Sequence, residues 1–267
     1  MPTYGLLTKP TNEVISEINK FGKLGFDYTE IGIEEPYGTN EILRRDKKKI
    51  LAALKKNGMF ALGHTSYWDD FGSMHTQVRN GWIKEGKAMI DTSAQLNIKL
   101  LNFHFYPGAA MIKKIPAGRK IYVNNFIAAM KELSAYAKKK GITLMLENIP
   151  HGKRNPYTIK EFSYIVKNVP NLMVHLDVAH AFIEGGNPRI DEYIKKFSNK
   201  LVHLHMHDNN GEEDQHLPLG KGKINFKKVA SSLKKINYDR TITFEVFTSD
   251  LDAKKSRIKF QKIWAKA

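Results

Sequence analysis

"LGHTSYWDD", Leu62 to Asp70, sets a histidine where an apolar run stops and polar and aromatic residues begin. A lone histidine at a strand end is most often a hydrogen-bonded structural residue. The reading of His64 therefore depends on how the other apolar runs of the chain end. Eight runs rich in β-branched and apolar residues can be marked: Thr3–Leu7, Tyr28–Ile33, Met59–Gly63, Leu100–His104, Thr143–Glu147, Met173–Asp177, Val202–His207 and Thr241–Val246. Stretches of helical period separate them, at Asn12–Lys23, Asn40–Lys56, Gly81–Leu96, Val123–Lys139, Ile159–Val166, Ile190–Phe197, Phe226–Ile236 and Ala253–Trp264. Eight strands each followed by a helix predict an α/β fold of the (β/α)8 TIM-barrel type. A doubly wound open sheet also alternates, but it usually carries a glycine-rich dinucleotide loop after its first strand, and none follows Leu7.

The bulk properties agree with one domain over residues 1–267. The chain is 42% hydrophobic and 26% charged, enough to bury a full core, and no linker or low-complexity tract interrupts it. There is no apolar stretch of bilayer-spanning length. "MPTYGLLTKPTNE" lacks the basic start and apolar centre of a secretion signal, so we expect a monomeric, soluble, cytoplasmic protein. With no cysteine, any metal must be held by His, Asp and Glu. The formal charge of +16 attracts polyanions, nucleic acid first among them, although runs such as Lys47 to Lys49 and Lys138 to Lys140 read equally well as solvated helix faces.

A barrel places its active site at the C-terminal ends of its strands. Six consecutive runs end in a residue able to bind a metal: His64, His104, Glu147, Asp177 with His180 beyond it, His205 with His207, and Glu245. Packing requires no such residue at that level of every strand, whereas convergence on one metal centre does. In "TLMLENIP", Glu147 closes an apolar run and would be a costly buried carboxylate without a cation. In "MVHLDVAHAF", His175 and Asp177 share a strand face and His180 follows across the turn. In "LVHLHMHDNNGEEDQHLPLGKG", His203, His205 and His207 alternate onto one face, and Asp214 and His216 add ligand types from the loop. His203, deepest in its strand, reads as a packing residue. Nitrogen and oxygen ligands suit zinc, manganese or iron.

These residues and their surrounding words, "LLNFHFYPG", "LENIP", "LDVAHAF", "HMHD", "DQHLPLGKG" and "TFEVF", resemble the endonuclease IV family of apurinic/apyrimidinic endonucleases from about Met59 to Phe247. The resemblance implies three zinc ions, manganese or another divalent metal being the alternative. One would lie on His64, His104 and a bridging Glu147, a second on Glu147, Asp177, His205 and Glu245, and a third on His180, Asp214 and His216. It implies Tyr67 beside the site, Glu147 and Glu245 as catalytic residues, and hydrolysis of duplex DNA on the 5′ side of an abasic site.

The same words place the chain in the wider group of xylose-isomerase-like barrels. There Glu147, Asp177, His205 and Glu245 resemble the site of sugar and sugar-phosphate isomerases and epimerases, in which two glutamates move a proton between neighbouring carbons. "LGFDYTEIGIEEPYGTN" reads like the second strand of that group, and no DNA-penetrating loop follows it. The full set of nine ligands and the charge favour the nuclease, with sugar isomerisation or epimerisation as the alternative. A basic DNA-binding barrel with a vestigial site would leave so many strand-end ligands without purpose. Candidate phosphate-binding cations are Arg44, Arg45, Lys113, Lys114, Arg119, Lys153, Lys221 and Lys223, and "LGKGKINF" reads as a turn before the next helix.

Overall fold

A computed structural model describes residues 1–107, 115–149 and 158–267. Eight parallel strands close into a barrel in sequential order: β1 (Thr3–Leu7), β2 (Tyr28–Ile33), β3 (Phe60–Thr65), β4 (Leu100–His104), β5 (Thr143–Glu147), β6 (Met173–Asp177), β7 (Leu201–His205) and β8 (Thr241–Thr243). Around them lie α1 (Val14–Lys23), α2 (Asn40–Arg45), α3 (Lys47–Lys56), α4 (Thr76–Gln95), α5 (Pro116–Lys139), α6 (Ile159–Asn168), α7 (Val178–Lys196), α8 (Phe226–Lys235) and α9 (Asp250–Lys266). The α/β TIM-barrel architecture is the one the alternation predicts. No helix of the described residues is long and apolar enough to cross a membrane.

Side chains alternate across each strand, and the alternation sorts chemistry. Leu101, Phe103, Leu144, Leu146, Val174, Leu176, Leu204 and Ile242 join the buried apolar cluster shared with the helices. The residues between them occupy the other face: Asn102 and His104, Glu147, His175 and Asp177, His203 and His205, Thr241 and Thr243. Strand register sets these into rings, pairing His64 with Asn102, His104 with Glu147, Glu147 with His175, Asp177 with His205, and His205 with Thr243. The upper barrel is thus lined by imidazole and carboxylate where most barrels stack branched apolar side chains.

Several boundaries differ from the periodicity, each for a local reason. β3 runs two residues further than expected, so His64 lies inside it, whereas β8 stops at Thr243 and leaves Glu245 on the segment beyond. The helix expected over Asn40–Lys56 is divided at Asp46, whose backbone (φ −93°, ψ 7°) ends α2 before α3 begins. Helix α5 starts at Pro116, where a missing N–H costs nothing, seven residues before the apolar face that periodicity detects. Helix α7 starts at Val178 rather than Ile190 because Asp177 caps it, Oδ1 accepting from the His180 N–H at 2.7 Å. Non-helical backbone at Gly185 and Gly186 then divides the helix.

The loop after β7 carries Asp214 and His216, and a buried carboxylate organises it. Asp208 accepts from the backbone N–H groups of Asn209 (3.0 Å), Gly220 (2.7 Å), Gly222 (2.9 Å) and Ile224 (3.1 Å). A two-residue bridge to Leu217 closes the loop behind it. The "LGKGKINF" stretch is therefore a turn wrapped on Asp208, and the N–H groups of Gly220 and Gly222 are already taken. Replacing Asp208 with Ala strands four donors, of which those of Asn209 and Ile224 are buried and cost about 1–3 kcal/mol each when unpaired. Thermal unfolding should show a Tm loss of several degrees, and an unchanged Tm would refute this organising role.

Candidate metal centre

Glu147, at the end of β5, is 2% exposed and is ringed by donors. Its Oε2 accepts from Asn102 Nδ2 at 2.7 Å and faces His104 Nε2 at 2.9 Å, His64 Nε2 at 3.3 Å and His175 Nδ1 at 3.3 Å. Oε1 faces His180 Nδ1 at 3.5 Å and His205 Nδ1 at 3.9 Å. Burial raises a carboxyl pKa, but His175 and His104 beside it hold Glu147 well below the ordinary range.

Around this carboxylate the nine residues implied by the family resemblance converge. His205 Nδ1 stands 3.3 Å from Glu245 Oε2 and 3.9 Å from Asp177 Oδ2. Asp214 Oδ2 lies 3.1 Å from both His180 Nε2 and His216 Nε2. Among the described residues, five groups of histidine and carboxylate have ligand atoms mutually within 4.8 Å. Two of them are His64 with His104 and Glu147, and Glu147 with Asp177 and His205. The third group differs from the expected one. Its compact form centres on His207, which meets Asp214 and His216 on one side and Asp177 and His180 on the other. His207 Nε2 lies 3.2 Å from Asp177 Oδ2 and 3.5 Å from Asp214 Oδ1. The alternation of "HLHMHD" carries it in beside His205.

These donors fit a divalent cation. Two ligands each about 2.0–2.3 Å from one ion stand roughly 3–4 Å apart, which is the spacing found here. Asp177 Oδ2, His205 Nδ1 and both ring nitrogens of His207 are buried with no hydrogen-bond partner. Such groups are costly unless something of opposite charge sits between them.

The outward nitrogens of three of the histidines are meanwhile committed. His104 Nδ1 donates to the Ser66 carbonyl (3.3 Å), His180 Nδ1 to that of Asn148 (2.7 Å) and His216 Nδ1 to that of Glu245 (3.0 Å), so Nε2 of each turns inward. Asn148 also clamps the base of Asp177, accepting from its N–H at 2.8 Å and donating to its carbonyl at 2.9 Å.

A cavity of about 660 Å³ opens above this cluster. His64, His104, Glu147, His180, Asp214, His216 and Glu245 line it, while Asp177, His205 and His207 form the floor beneath, each fully buried. Tyr67 is 49% exposed at its wall, its ring edge-on to Tyr106 at 5.5 Å, with Trp68 alongside. Glu34 and Asp250 also face the cavity, and burial raises the Glu34 pKa despite the nearby His64.

Three of the eight cations raised by the sequence are engaged elsewhere. Arg44 donates to Thr92 and the Ala88 carbonyl, Arg45 pairs with Asp46 at 2.6 Å, and Arg119 holds Glu161 at 2.5 and 2.8 Å. Lys221 and Lys223 are exposed, and Lys113, Lys114 and Lys153 lie outside the described residues. His203, expected to be a packing residue, is fully buried between Thr241 and Glu30. Glu30 was not singled out by sequence reasoning, although "YTEIGI" carries the signal: a charge inside an otherwise apolar strand.

The family model for xylose isomerase-like TIM barrels matches residues 19–263. The chain belongs to that family. Within the xylose isomerase-like barrels, an L-ribulose 3-epimerase from Methylomonas sp. is 27% identical over 237 residues, 86% of this chain and 77% of the other. A protein named probable endonuclease 4, from Campylobacter concisus, is 25% identical over 211 residues, 72% of each chain. The solved structure of a D-tagatose 3-epimerase-like protein superposes with a TM-score of 0.84 at 25% identity, covering 99% of this chain and 98% of that one. Membership in the wider xylose isomerase-like group is thus shown, and its structural relatives include sugar epimerases.

Burial lowers an imidazole pKa, but Glu245 and Asp214 raise that of His216 to about 9, and Asp177 and Asp214 carry His180 well above its ordinary value. Below those values the metal-free site holds protons that a cation must displace, so metal affinity should rise with pH up to at least about 9. Titration calorimetry of zinc into the metal-free chain at pH 7, in buffers of different ionisation enthalpy, should register net proton release. Heats independent of the buffer would contradict it.

Proposed function

We propose that this chain is a divalent-metal-dependent epimerase or isomerase of a sugar or sugar phosphate, with Glu147 and Glu245 as the proton-transfer pair. The observation that carries the reading is the placement of these two carboxylates. One comes from the end of β5 and the other from beyond β8, and they face a single cavity across His205, at 3.9 and 3.3 Å from its Nδ1.

His205, Asp177, Glu147 and Glu245 would hold the ion, which when bound polarises a substrate carbonyl and acidifies the neighbouring C–H bond. One of Glu147 and Glu245 takes the proton from that carbon. Both carboxylates are held ionised in the metal-free site, so the other takes up a proton from solvent and returns it to the opposite face, and each turnover leaves a proton moved from one carboxyl to the other. His205 and His216 beside it hold Glu245 at about 2 despite its burial. Tyr67, Trp68 and Tyr106 offer apolar faces to the C–H side of a sugar, and a cavity of about 660 Å³ is the size of a small-molecule site.

The second reading is metal-assisted hydrolysis of duplex DNA 5′ to an abasic site. The convergence of His180, Asp214 and His216 beside the other six ligands favours it, as does the likeness to endonuclease 4. It stands second because Glu34 and Asp250 face the cavity, and because Lys9, the cation among the described lining residues, is paired with Asp250 at 3.1 Å.

The test is incubation of the manganese-loaded chain with ketopentoses, ketohexoses and their phosphates in deuterated water, beside a duplex oligonucleotide carrying one abasic site. Deuterium incorporation next to the carbonyl, lost by at least about a hundredfold in Glu147→Gln and Glu245→Gln with unchanged circular dichroism, is the expected outcome. Strand cleavage without exchange would overturn it in favour of the nuclease.

A further inference from the structure

Beneath the floor of the site, Glu30 of β2 is fully buried. All its hydrogen bonds converge on Oε2, which faces His205 Nε2 at 2.9 Å and His203 Nε2 at 3.1 Å and accepts from Thr243 Oγ1 at 2.7 Å. Tyr28 extends the network with its hydroxyl 2.9 Å from that of Thr243. Glu30 lies below the cavity lining and has no path to a substrate. Among the described residues no lysine or arginine pairs with it.

A neutral glutamine or an apolar residue would fill this space without the desolvation cost of a charge, so packing alone does not account for a carboxylate here. The asymmetry of His205 supplies the reason. Its Nε2 is tied to Glu30, while its Nδ1 is buried without a partner and directed at Glu245, Glu147 and Asp177. We infer that Glu30 is a positioning residue that fixes the Nε2–H tautomer of His205, so that this histidine binds the ion through Nδ1, and raises the basicity of that nitrogen. In this place His104, His180 and His216 have backbone carbonyls, and His64 and His207 have no hydrogen-bond partner among the described residues. Among the described histidines of the proposed centre, His205 is the one whose second nitrogen is hydrogen-bonded to a carboxylate, which would make it the strongest imidazole donor there.

The inference rests on the metal centre proposed above, and the test separates the two. Manganese(II) is titrated into the metal-free full chain, wild type and Glu30→Gln, with the free ion read by electron paramagnetic resonance. Glutamine keeps the size and one acceptor but removes the charge, and the expected result is a 10- to 100-fold weaker Kd, the usual consequence of losing a partner behind a ligand. A Kd within twofold of wild type overturns the role of Glu30 and leaves the metal centre standing. Failure of the wild type to bind overturns both. A readout that needs no variant is long-range nitrogen–proton correlation on the zinc-loaded wild type. It should show His205 protonated at Nε2 and coordinated at Nδ1, and coordination through Nε2 would overturn the inference even if Glu30→Gln does not fold.

Discussion

Everything at the mouth of this barrel depends on the burial of the Glu147 carboxylate. An ionised carboxylate withdrawn from water is unfavourable by several kcal/mol unless donors or cations replace the lost solvent. Here Asn102, His64, His104, His175 and His180 crowd its two oxygens within 3.5 Å, contributed by three strands and one helix start. The closed parallel order of the strands is what gathers them, because each contributes its inward position at the same level. The resulting network leaves inward-facing nitrogens and carboxylate oxygens without mutual partners, and a divalent cation is the species that satisfies them together.

Orientation is imposed from outside that ring. Histidine rings rotate freely unless their far nitrogen is held, and here the holders are carbonyl oxygens of segments that themselves leave the strands: Ser66 after β3, Asn148 after β5 and Glu245 after β8. Asp208 does the same work one level removed, folding the β7 to α8 loop so that Asp214 and His216 return to the mouth. Asp177 joins two structures with one side chain, Oδ1 capping α7 while Oδ2 turns to the site. A rigid centre of this kind suits chemistry in which small displacements of two carboxylates relative to a substrate carbon change the rate.

The electrostatics of the mouth and of the whole chain point in opposite directions. A net charge of +16 describes the surface, much of it on helices. The cavity, by contrast, is lined by Glu34, Glu147, Asp214, Glu245 and Asp250, with Lys9 neutralised by the last of these. Global charge acts at long range on encounter, whereas local charge and shape select what enters. The sugar reading is drawn from the local field, and the reading as a nuclease drew on the global one.

How much was legible in the sequence follows from which interactions are local. The strand alternation is a property of neighbouring residues, so the eightfold βα pattern, the inward face of each strand and the candidate ligands at six strand ends could be read from spacing, whereas the full set of nine came from the family resemblance. Helix starts such as those of α5 and α7 could not, because a proline or an aspartate cap defines them and the first turns carry no apolar stripe. The union of His207 with Asp214 and His216, the wrapping of the glycine-lysine turn on Asp208, and the placing of Glu30 behind His205 arise between strands far apart in the chain. Residues 30 and 205 meet only because the barrel closes β8 onto β1, bringing β2 within reach of β7 across the interior. The sequence by itself determined the fold and the kinds of ligand. Tertiary structure alone decided which nitrogen each histidine presents and which cations are free, since hydrogen-bond partners across a barrel are matters of distance that no local spacing encodes.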